Sequence, residues 1–233
     1  MKRSYEKELM DVGGNQGKLL AEDLRNLRIL NRFLSGRRCV MLGLKHALRR
    51  QQTKRFSLLD VGTGSADIPA AILEWGRRKG VDATIVGLEA ETLTAKIAAG
   101  RTNHLPNISI IQGDADNSPF SPGSFDYVVA SQLLHHFPEE KIIELLKRWA
   151  RIARKGIVVG DLVRHPIAYH GIRLLTKLTT RNIMTLKDAP LSVRRALTFN
   201  EWRGLFKQAQ VGPVEMYSVF PFRMAAVVTL GGR

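Results

Sequence analysis

The stretch Leu58-Leu59-Asp60-Val61-Gly62-Thr63-Gly64-Ser65-Ala66-Asp67 decides how this chain folds. An apolar run with an acidic residue near its end passes into a glycine-rich turn and then into a helical pattern. Glycine suits such a turn because it adopts positive φ angles and, without a Cβ, lets a ligand lie against the backbone. The stretch therefore predicts a nucleotide-like ligand after the first strand of an α/β sheet.

The spacing within this stretch excludes two common nucleotide motifs. A dinucleotide fingerprint reads G-x-G-x-x-G, and its third glycine would fall on Asp67. A P-loop requires Gly-Lys-Ser/Thr, which does not follow this turn. The pattern D-x-G-x-G-x-A from Asp60 to Ala66 instead resembles motif I of class I S-adenosylmethionine (SAM)-dependent methyltransferases, with Ala66 in place of the usual third glycine.

Two later segments extend the resemblance over about residues 56–161. Residues 82–89 read as a second strand ending in Glu89, whose carboxylate suits a ribose diol because it accepts both hydroxyl protons. Residues 108–115 look like the family's third strand and adenine loop, where Asp114 would accept from the exocyclic amine. The resemblance implies SAM as cofactor and S-adenosyl-L-homocysteine (SAH) as product. The cofactor-binding residues that it implies are Asp60, Gly62, Thr63, Gly64, Glu89, Ala90, Asp114, Ala115 and Ser131.

The alternation of apolar strands with helical segments predicts an α/β fold, a Rossmann-like three-layer sandwich. The resemblance implies a seven-stranded, mostly parallel sheet that ends in an antiparallel hairpin, with N-terminal helices and a helical cap after strand five. Gly36 is predicted to cap the first helix, and Pro190 to lie in a loop. We expect one methyltransferase domain over 1–233, made of an N-terminal helical extension (1–55), a SAM-binding core (56–162), a helical substrate cap (163–198) and a closing helix and hairpin (199–233).

Polar residues follow predicted strands four and five, at the sheet edge where α/β proteins bind ligands. Some O-methyltransferases with a similar Leu-His-His turn pair its histidine with an aspartate that ends strand five, which makes His135 and Asp161 the catalytic candidates. A neutral imidazole with a pKa of about 6.5 accepts a hydroxyl proton, and the carboxylate stabilises the imidazolium. His136 as base, or neither histidine, remains an alternative, as does a capping role for Asp161.

The cap segment 163–198 is expected to shape the substrate pocket, with His136, Arg164 and Tyr169 as substrate-binding candidates. Each of these also has a plain alternative as a surface or packing residue. No set of His, Asp and Glu has metal-ligand spacing, so we expect no metal. Cys39 is the only cysteine, which excludes an internal disulfide and favours a core position over a nucleophile.

The net charge of +15 is unevenly distributed along the chain. Residues 1–55 hold 14 Lys/Arg against 5 Asp/Glu and residues 163–233 hold 11 against 3, whereas residues 56–130 hold 5 against 9. Such basic flanks suit an anionic substrate, an acidic carrier protein, an anionic membrane surface or nucleic acid, or are solvated helix faces. Aromatic residues amount to 7% and do not interleave with the basic runs, which disfavours nucleic acid.

Residues 1–10 hold no apolar run of a secretion signal, and no apolar stretch approaches the roughly 20 residues of a membrane span, so we expect a cytoplasmic enzyme. The leading hypothesis is a SAM-dependent methyltransferase of small molecules that methylates a phenolic, polyketide or other natural-product hydroxyl with His135 as general base. A quinone- or lipid-directed C-methyltransferase is the nearest alternative, because the layout also resembles ubiquinone and menaquinone methyltransferases. Nucleic-acid methylation and a non-catalytic SAM-binding partner are the remaining ones.

Overall fold

The computed structural model describes residues 1–12 and 17–231, which form a sheet covered by helices on both faces. The strands are β1 (Arg55–Val61), β2 (Asp82–Glu89), β3 (Ile108–Gln112), β4 (Phe125–Ser131), β5 (Ala153–Leu162), β6 (Val214–Val219) and β7 (Arg223–Thr229). The helices are α1 (Gly17–Phe33), α2 (Gly36–Arg50), α3 (Asp67–Lys79), α4 (Thr92–Thr102), α5 (Glu139–Ile152), α6 (Pro166–Thr179), α7 (Ile183–Arg195) and α8 (Phe199–Ala209). Short 3-10 turns lie at Leu9–Asp11 and Leu134–His136.

The strand order of the 7-stranded sheet is β3-β2-β1-β4-β5-β7-β6. The strands from β3 to β5 pair in parallel, whereas β7 is antiparallel to both β5 and β6. This topology confirms the predicted Rossmann-like α/β sandwich with its closing antiparallel hairpin. Because the strand order reverses between β1 and β4, a crevice opens at the carboxyl ends of these two strands, where open α/β sheets bind ligands.

Both faces of the central strands are apolar, as a parallel sheet covered by helices requires. On one face, Leu59 belongs to a core cluster with Trp149 of α5 and Trp202 of α8, which are both fully buried. On the other face, Leu58 and Tyr127 belong to a cluster with apolar residues of α2 and α3. Each fully buried side chain of this size contributes roughly 1.5–3 kcal/mol, so the sheet is the rigid frame that positions the site.

Helix α2 approaches the sheet closely because glycines remove side chains from the contact. A Cβ on Gly43 would come within 2.8 Å of Val158, and a Cβ on Gly160 within 2.7 Å of Val40. Cys39 on the same helix is buried, and its thiol donates to a backbone carbonyl of β7 at 2.7 Å. This confirms the core position that was predicted for Cys39, and it makes α2 part of the layer that covers the sheet.

Two local predictions are wrong. Gly36 is the first residue of α2 and does not cap α1, since the left-handed residue between the helices is Ser35, with φ of 63°. Pro190 lies inside α7 and not in a loop. A proline within a helix costs roughly 3 kcal/mol, and here tertiary contacts offset that cost. Asn182 caps the start of α7 by accepting from Thr185, and residues of both halves of the helix are buried.

Helix α6 packs against α7 and leaves several apolar side chains exposed on its outer face, among them Ile167, Leu174 and Leu178. Arg173 and Lys177 are exposed on the same helix. Within residues 1–12 and 17–231, we find no helix whose length and apolar character would let it cross a membrane.

Candidate functional site

The residues predicted to bind the cofactor lie at the carboxyl edge of the sheet. The parallel register aligns the last residues of β1, β2 and β4, so Asp60, Glu89 and Ser131 lie near the ends of three neighbouring strands. Asp114 and Ala115 follow β3, which is the next strand beyond β2. The structure therefore brings together at one edge residues that the sequence spreads over 72 positions, from Asp60 to Ser131.

The glycine turn after β1 presents bare backbone to the crevice. The Leu88 carbonyl accepts from the N–H groups of Gly62 and Thr63 at 2.9 and 3.1 Å, which ties the turn to β2. Gly62 and Gly64 have φ of 66° and 55°, in the left-handed region that favours glycine. A Cβ built on Gly64 would meet no heavy atom within 4 Å. A ligand can therefore lie directly against this turn, as the motif predicts.

Two carboxylates border the turn. Glu89 accepts from the N–H of Gly64 at 2.8 Å and from the N–H of Glu91 at 3.2 Å, so its position is set by backbone donors. Asp60 accepts from the Thr63 hydroxyl at 2.7 Å through Oδ2, whereas its Oδ1 is buried and finds no hydrogen-bond partner among the described residues. Burial raises the pKa of Asp60 to about 7, and burial also raises the pKa of Glu89. These acceptors fit a ligand that brings O–H and N–H donors.

The other predicted cofactor residues surround the same crevice. Asp114 is exposed, and its Oδ1 accepts from the N–H of Asp116 at 2.9 Å. Ala90 is exposed directly after Glu89, and Ala115 packs against the core cluster beside α5. Their cofactor-binding roles stay predictions.

An apolar cavity of about 340 Å³ opens beside this edge, between α1, α6, α7 and the turn that joins β6 to β7. Gln132 and Leu162 line it, so the cavity reaches the carboxyl ends of β4 and β5. Its walls are mainly aliphatic and aromatic side chains, including Leu30, Ile172, Val193 and Phe222. The cavity is therefore suited to an apolar molecule that meets the cofactor crevice at the end of β4.

Among the described residues that line this cavity, Arg223 is the one with a charged side chain. Its Nε donates to the Leu34 carbonyl at 2.6 Å, whereas its Nη1 is buried and has no hydrogen-bond partner in the part of the chain described. Burial lowers the pKa of the guanidinium, which nevertheless remains charged at neutral pH. A buried donor without a partner is costly. Sequence reasoning missed Arg223 because no motif surrounds it.

His135 and Asp161 form the predicted pair. His135 Nδ1 lies 2.7 Å from Asp161 Oδ1, and the Leu162 N–H donates to the same carboxylate at 2.7 Å. Burial alone would raise the pKa of Asp161, but the interaction with His135 and the hydrogen bonds hold it below its usual value. His135 is 3% exposed, is not among the residues that line the apolar cavity, and its Nε2 faces the Glu8 carboxylate at 3.8 Å. The role of general base stays a prediction.

The three predicted substrate-binding residues have other surroundings. His136 Nδ1 lies 2.9 Å from Asp11 Oδ2. Arg164 is buried and donates to Glu201 at 2.6 Å. Tyr169 lines a second cavity of about 310 Å³ between the N-terminal segment and α7. These three residues do not line the apolar cavity, and their substrate-binding roles stay predictions.

Glu8 is a buried acidic residue that sequence reasoning missed. It is 2% exposed and lies against the Leu134–His136 turn, where burial raises its pKa to about 7. The Ser192 hydroxyl donates to Glu8 Oε1 at 2.9 Å. More than a hundred residues separate Glu8 from His135 along the chain, so no sequence spacing could connect the two.

The fold and the glycine-turn site resemble those of the class I SAM-dependent methyltransferases. Residues 58–156 match the family model described as "Methyltransferase domain". The demethylmenaquinone methyltransferase of Staphylococcus carnosus is 31% identical over 113 residues, which cover 48% of this chain and 45% of that protein. The demethylmenaquinone methyltransferase of Geobacillus stearothermophilus is 27% identical over 187 residues, which cover 79% of this chain and 76% of that protein.

A solved structure, described as a SAM-dependent methyltransferase from Aquifex aeolicus, superimposes with a TM-score of 0.58 at 14% identity, over 80% of this chain and 89% of that one. At this identity the likeness shows the fold alone. The chain spans about half the length of the staphylococcal relatives that it matches. Together these comparisons confirm the predicted resemblance to class I SAM-dependent methyltransferases, and the match to the family model lies within residues 58–156.

Proposed function

We propose that this protein transfers the methyl group of SAM to a ring carbon of an apolar hydroquinone or phenol bound in the cavity beside Arg223. The cavity carries the proposal, because it is apolar, meets the cofactor crevice at Gln132 and holds one buried guanidinium with an unpartnered donor. The relatives named demethylmenaquinone methyltransferase support an acceptor derived from a quinone. We therefore place methylation of a ring carbon ahead of methylation of a hydroxyl, which the Leu134–His136 turn suggests.

The residues at the sheet edge fit SAM in chemistry. Glu89 would accept from the ribose hydroxyls, Asp114 from the adenine amine, and Asp60 from a donor of the ligand through its unpartnered Oδ1. The backbone of Gly62 and Gly64 allows the ligand to approach closely. When bound, SAM supplies an electrophilic methyl group and leaves as SAH, a neutral thioether.

Arg223 would activate the acceptor. A phenolic ring carbon becomes strongly nucleophilic when the neighbouring hydroxyl ionises, because the phenolate pushes electron density into the ring. Donation from Arg223 Nη1 to that oxygen would stabilise the anion, and the low dielectric constant beside the apolar walls would strengthen the interaction. The hydroxyl proton would be released to solvent when the phenolate forms. After the carbon–carbon bond forms, the ring carbon would also lose its proton to solvent, and the ring would regain its aromaticity.

Methyl transfer to a hydroxyl is the second candidate function, and the pairing of His135 with Asp161 at 2.7 Å favours it. The carboxylate would orient the imidazole and stabilise its protonated form. This function requires His135 Nε2 to reach the acceptor hydroxyl, whereas Nε2 faces Glu8 in the structure.

The test presents the full chain with SAM and a panel of chemically reduced naphthoquinones, catechols and alkylresorcinols. Mass spectrometry detects the added methyl group, and NMR assigns it to carbon or oxygen. We expect C-methylation of the reduced naphthoquinones. Exclusive O-methylation would establish the second candidate, and failure of SAM to bind by calorimetry would refute both.

Arg223 variants sharpen this test. We expect Arg223→Met to lower kcat/KM by about 100-fold, in line with losing a charged donor in the transition state, and to shift the pH–rate profile upward because the acceptor ionises less readily. Arg223→Lys keeps the charge and should recover part of the rate. Arg203→Met serves as the matched control, since Arg203 is exposed on α8. Circular dichroism verifies that each variant is folded.

A further inference from the structure

Besides the methyl-transfer site, the structure contains a second group of chemically notable side chains, where the N-terminal segment meets the Leu134–His136 turn. Several contacts fix the segment there. The Asp188 carboxylate accepts from the N–H groups of Leu9 and Met10 at 2.9 and 3.1 Å, and Arg3 donates to the Phe137 carbonyl at 2.7 Å. These contacts hold Glu8 in a buried position beside His135 and His136.

Three potential ligand atoms converge at this point. His135 Nε2 lies 3.8 Å from Glu8 Oε1, and His136 Nε2 lies 3.9 Å from Glu8 Oε2. One ligand atom from each of the three residues lies within 4.8 Å of the others. These separations are too long for hydrogen bonds. They are close to the separations of about 3.3 Å between ligands that sit about 2.0 Å from a tetrahedral Zn²⁺ ion.

Each histidine is anchored by a carboxylate at its other ring nitrogen. His135 Nδ1 lies 2.7 Å from Asp161 and His136 Nδ1 lies 2.9 Å from Asp11. A carboxylate at Nδ1 accepts from the proton-bearing N–H there and leaves the lone pair on Nε2. Histidines that bind a metal through one ring nitrogen usually donate the other N–H to a carboxylate in this way. Glu8 is oriented in the same way, because it accepts from the Ser192 hydroxyl.

Charge and burial also favour a cation. The carboxylates of Glu8, Asp11 and Asp161 surround the imidazoles. Among the described residues, Arg195 is the one arginine whose guanidinium lies within 4.0 Å of these carboxylates. With neutral imidazoles and all three carboxylates ionised, as metal binding at Glu8 requires, this group carries a net charge of −2, which a divalent ion would balance. His135 Nε2 is buried and has no hydrogen-bond partner among the described residues. A buried nitrogen without a partner is costly, and a metal ion would satisfy it.

We propose that Glu8, His135 and His136 bind one Zn²⁺ ion. Two imidazole nitrogens and one carboxylate oxygen form a common set for this ion, with a fourth position left for water. The ion would tie the N-terminal segment to the turn after β4. The proposal is independent of the methyl-transfer proposal, but it excludes His135 as general base, because its Nε2 lone pair would bind the metal.

The test uses the full chain, without a histidine tag and freed of metal by a chelator. Titration with Zn²⁺ against a chromophoric chelator should give one equivalent bound with a dissociation constant in the micromolar range or below. Co²⁺ in place of Zn²⁺ should give the visible absorption of a four-coordinate nitrogen–oxygen site. Binding of less than one equivalent, or a Co²⁺ spectrum of the octahedral aquo type, would overturn the proposal.

Variants assign the ligands. Glu8→Gln and His136→Gln should each weaken Zn²⁺ binding by at least about 30-fold. Glu6→Gln is the matched control, since Glu6 lies in the same segment with an exposed side chain, and its affinity should stay within about twofold of the parent. Equal affinity of Glu8→Gln and Glu6→Gln would refute the site. If Glu8→Gln unfolds, the partly exposed His136 and the Co²⁺ spectrum of the parent chain still decide the question.

Discussion

The predicted SAM-binding core (residues 56–162) and its flanks (residues 1–55 and 163–231) contribute residues to the candidate site in different ways. In the core, the predicted cofactor residues stand at the ends of their own strands, next to a local motif. In the flanks, the cavity is assembled from residues that carry no motif, such as Leu30 of α1, Val193 of α7 and Arg223 of β7. A local motif can be interpreted from the sequence, whereas a cavity shared by distant helices exists only after the chain has folded.

Among substitutions in the core, we expect replacement of Glu89 to have the largest effect on cofactor binding. We expect Glu89→Gln to weaken SAH binding by about 30- to 100-fold, because a charged acceptor of the ribose hydroxyls is lost. Glu91→Gln is the control, since Glu91 lies two residues away and caps α4 by accepting from Thr94. It should lower the free energy of unfolding by about 1 kcal/mol and leave SAH affinity within about threefold. Calorimetry that shows equal losses would contradict the ribose assignment.

Asp60 should make stability depend on pH. Its pKa is about 7 in the folded chain and about 3.9 when unfolded, so between these values the folded state holds a proton that the unfolded state has lost. The free energy of unfolding should therefore fall as pH rises through this window. Relative to Asp60→Asn, the parent chain should lose roughly 3 kcal/mol between about pH 4.5 and pH 8. Urea unfolding without ligand at both pH values measures this, and a pH-independent difference would disprove it.

Alanine substitutions at the two glycines of the turn should separate the cost of backbone strain from the cost of steric crowding. Alanine in the left-handed region costs about 1–2 kcal/mol, and both Gly62→Ala and Gly64→Ala incur this cost. Gly62→Ala also places a Cβ within 2.8 Å of Leu133, whereas Gly64→Ala meets open space. Thermal unfolding should therefore rank Gly62→Ala as the less stable variant, by up to about 1 kcal/mol. A reversed ranking would show that the turn differs from the structure.

The smallest effect is expected from the basic surface of the cap. Arg173, Lys177 and Arg181 are exposed, and none forms an ion pair within the described residues. Replacing all three by Glu should change the free energy of unfolding by less than about 0.5 kcal/mol per site, as for solvated surface positions. Chemical denaturation measures this. Sedimentation of the parent chain, but not of this variant, with anionic vesicles would instead indicate a membrane-facing role for the flank.

The sequence predicted most of the fold because its strands and helices are locally consistent. Strand β2 spans Asp82–Glu89, as predicted, and the strands and helices alternate in the predicted order. Local signals failed where packing overrides them, as for Pro190, which tertiary contacts hold inside α7, and for Gly36, which begins a helix while Ser35 takes the left-handed conformation. Propensity describes a short segment, and it does not include the neighbours that the segment meets after folding.

The candidate site likewise contains residues that the sequence predicted and residues that it did not. The sequence predicted that Asp60, Gly62, Gly64 and Glu89 lie at one sheet edge, because a glycine turn after a strand and a carboxylate after the next strand are local features. Arg223 and Glu8 did not, because each acts through partners brought together from distant parts of the chain. The sequence by itself thus determined the fold class and the cofactor crevice. Only the tertiary structure decided which side chains line the apolar cavity and what His135 faces, because contacts between distant segments are set by packing and not by spacing.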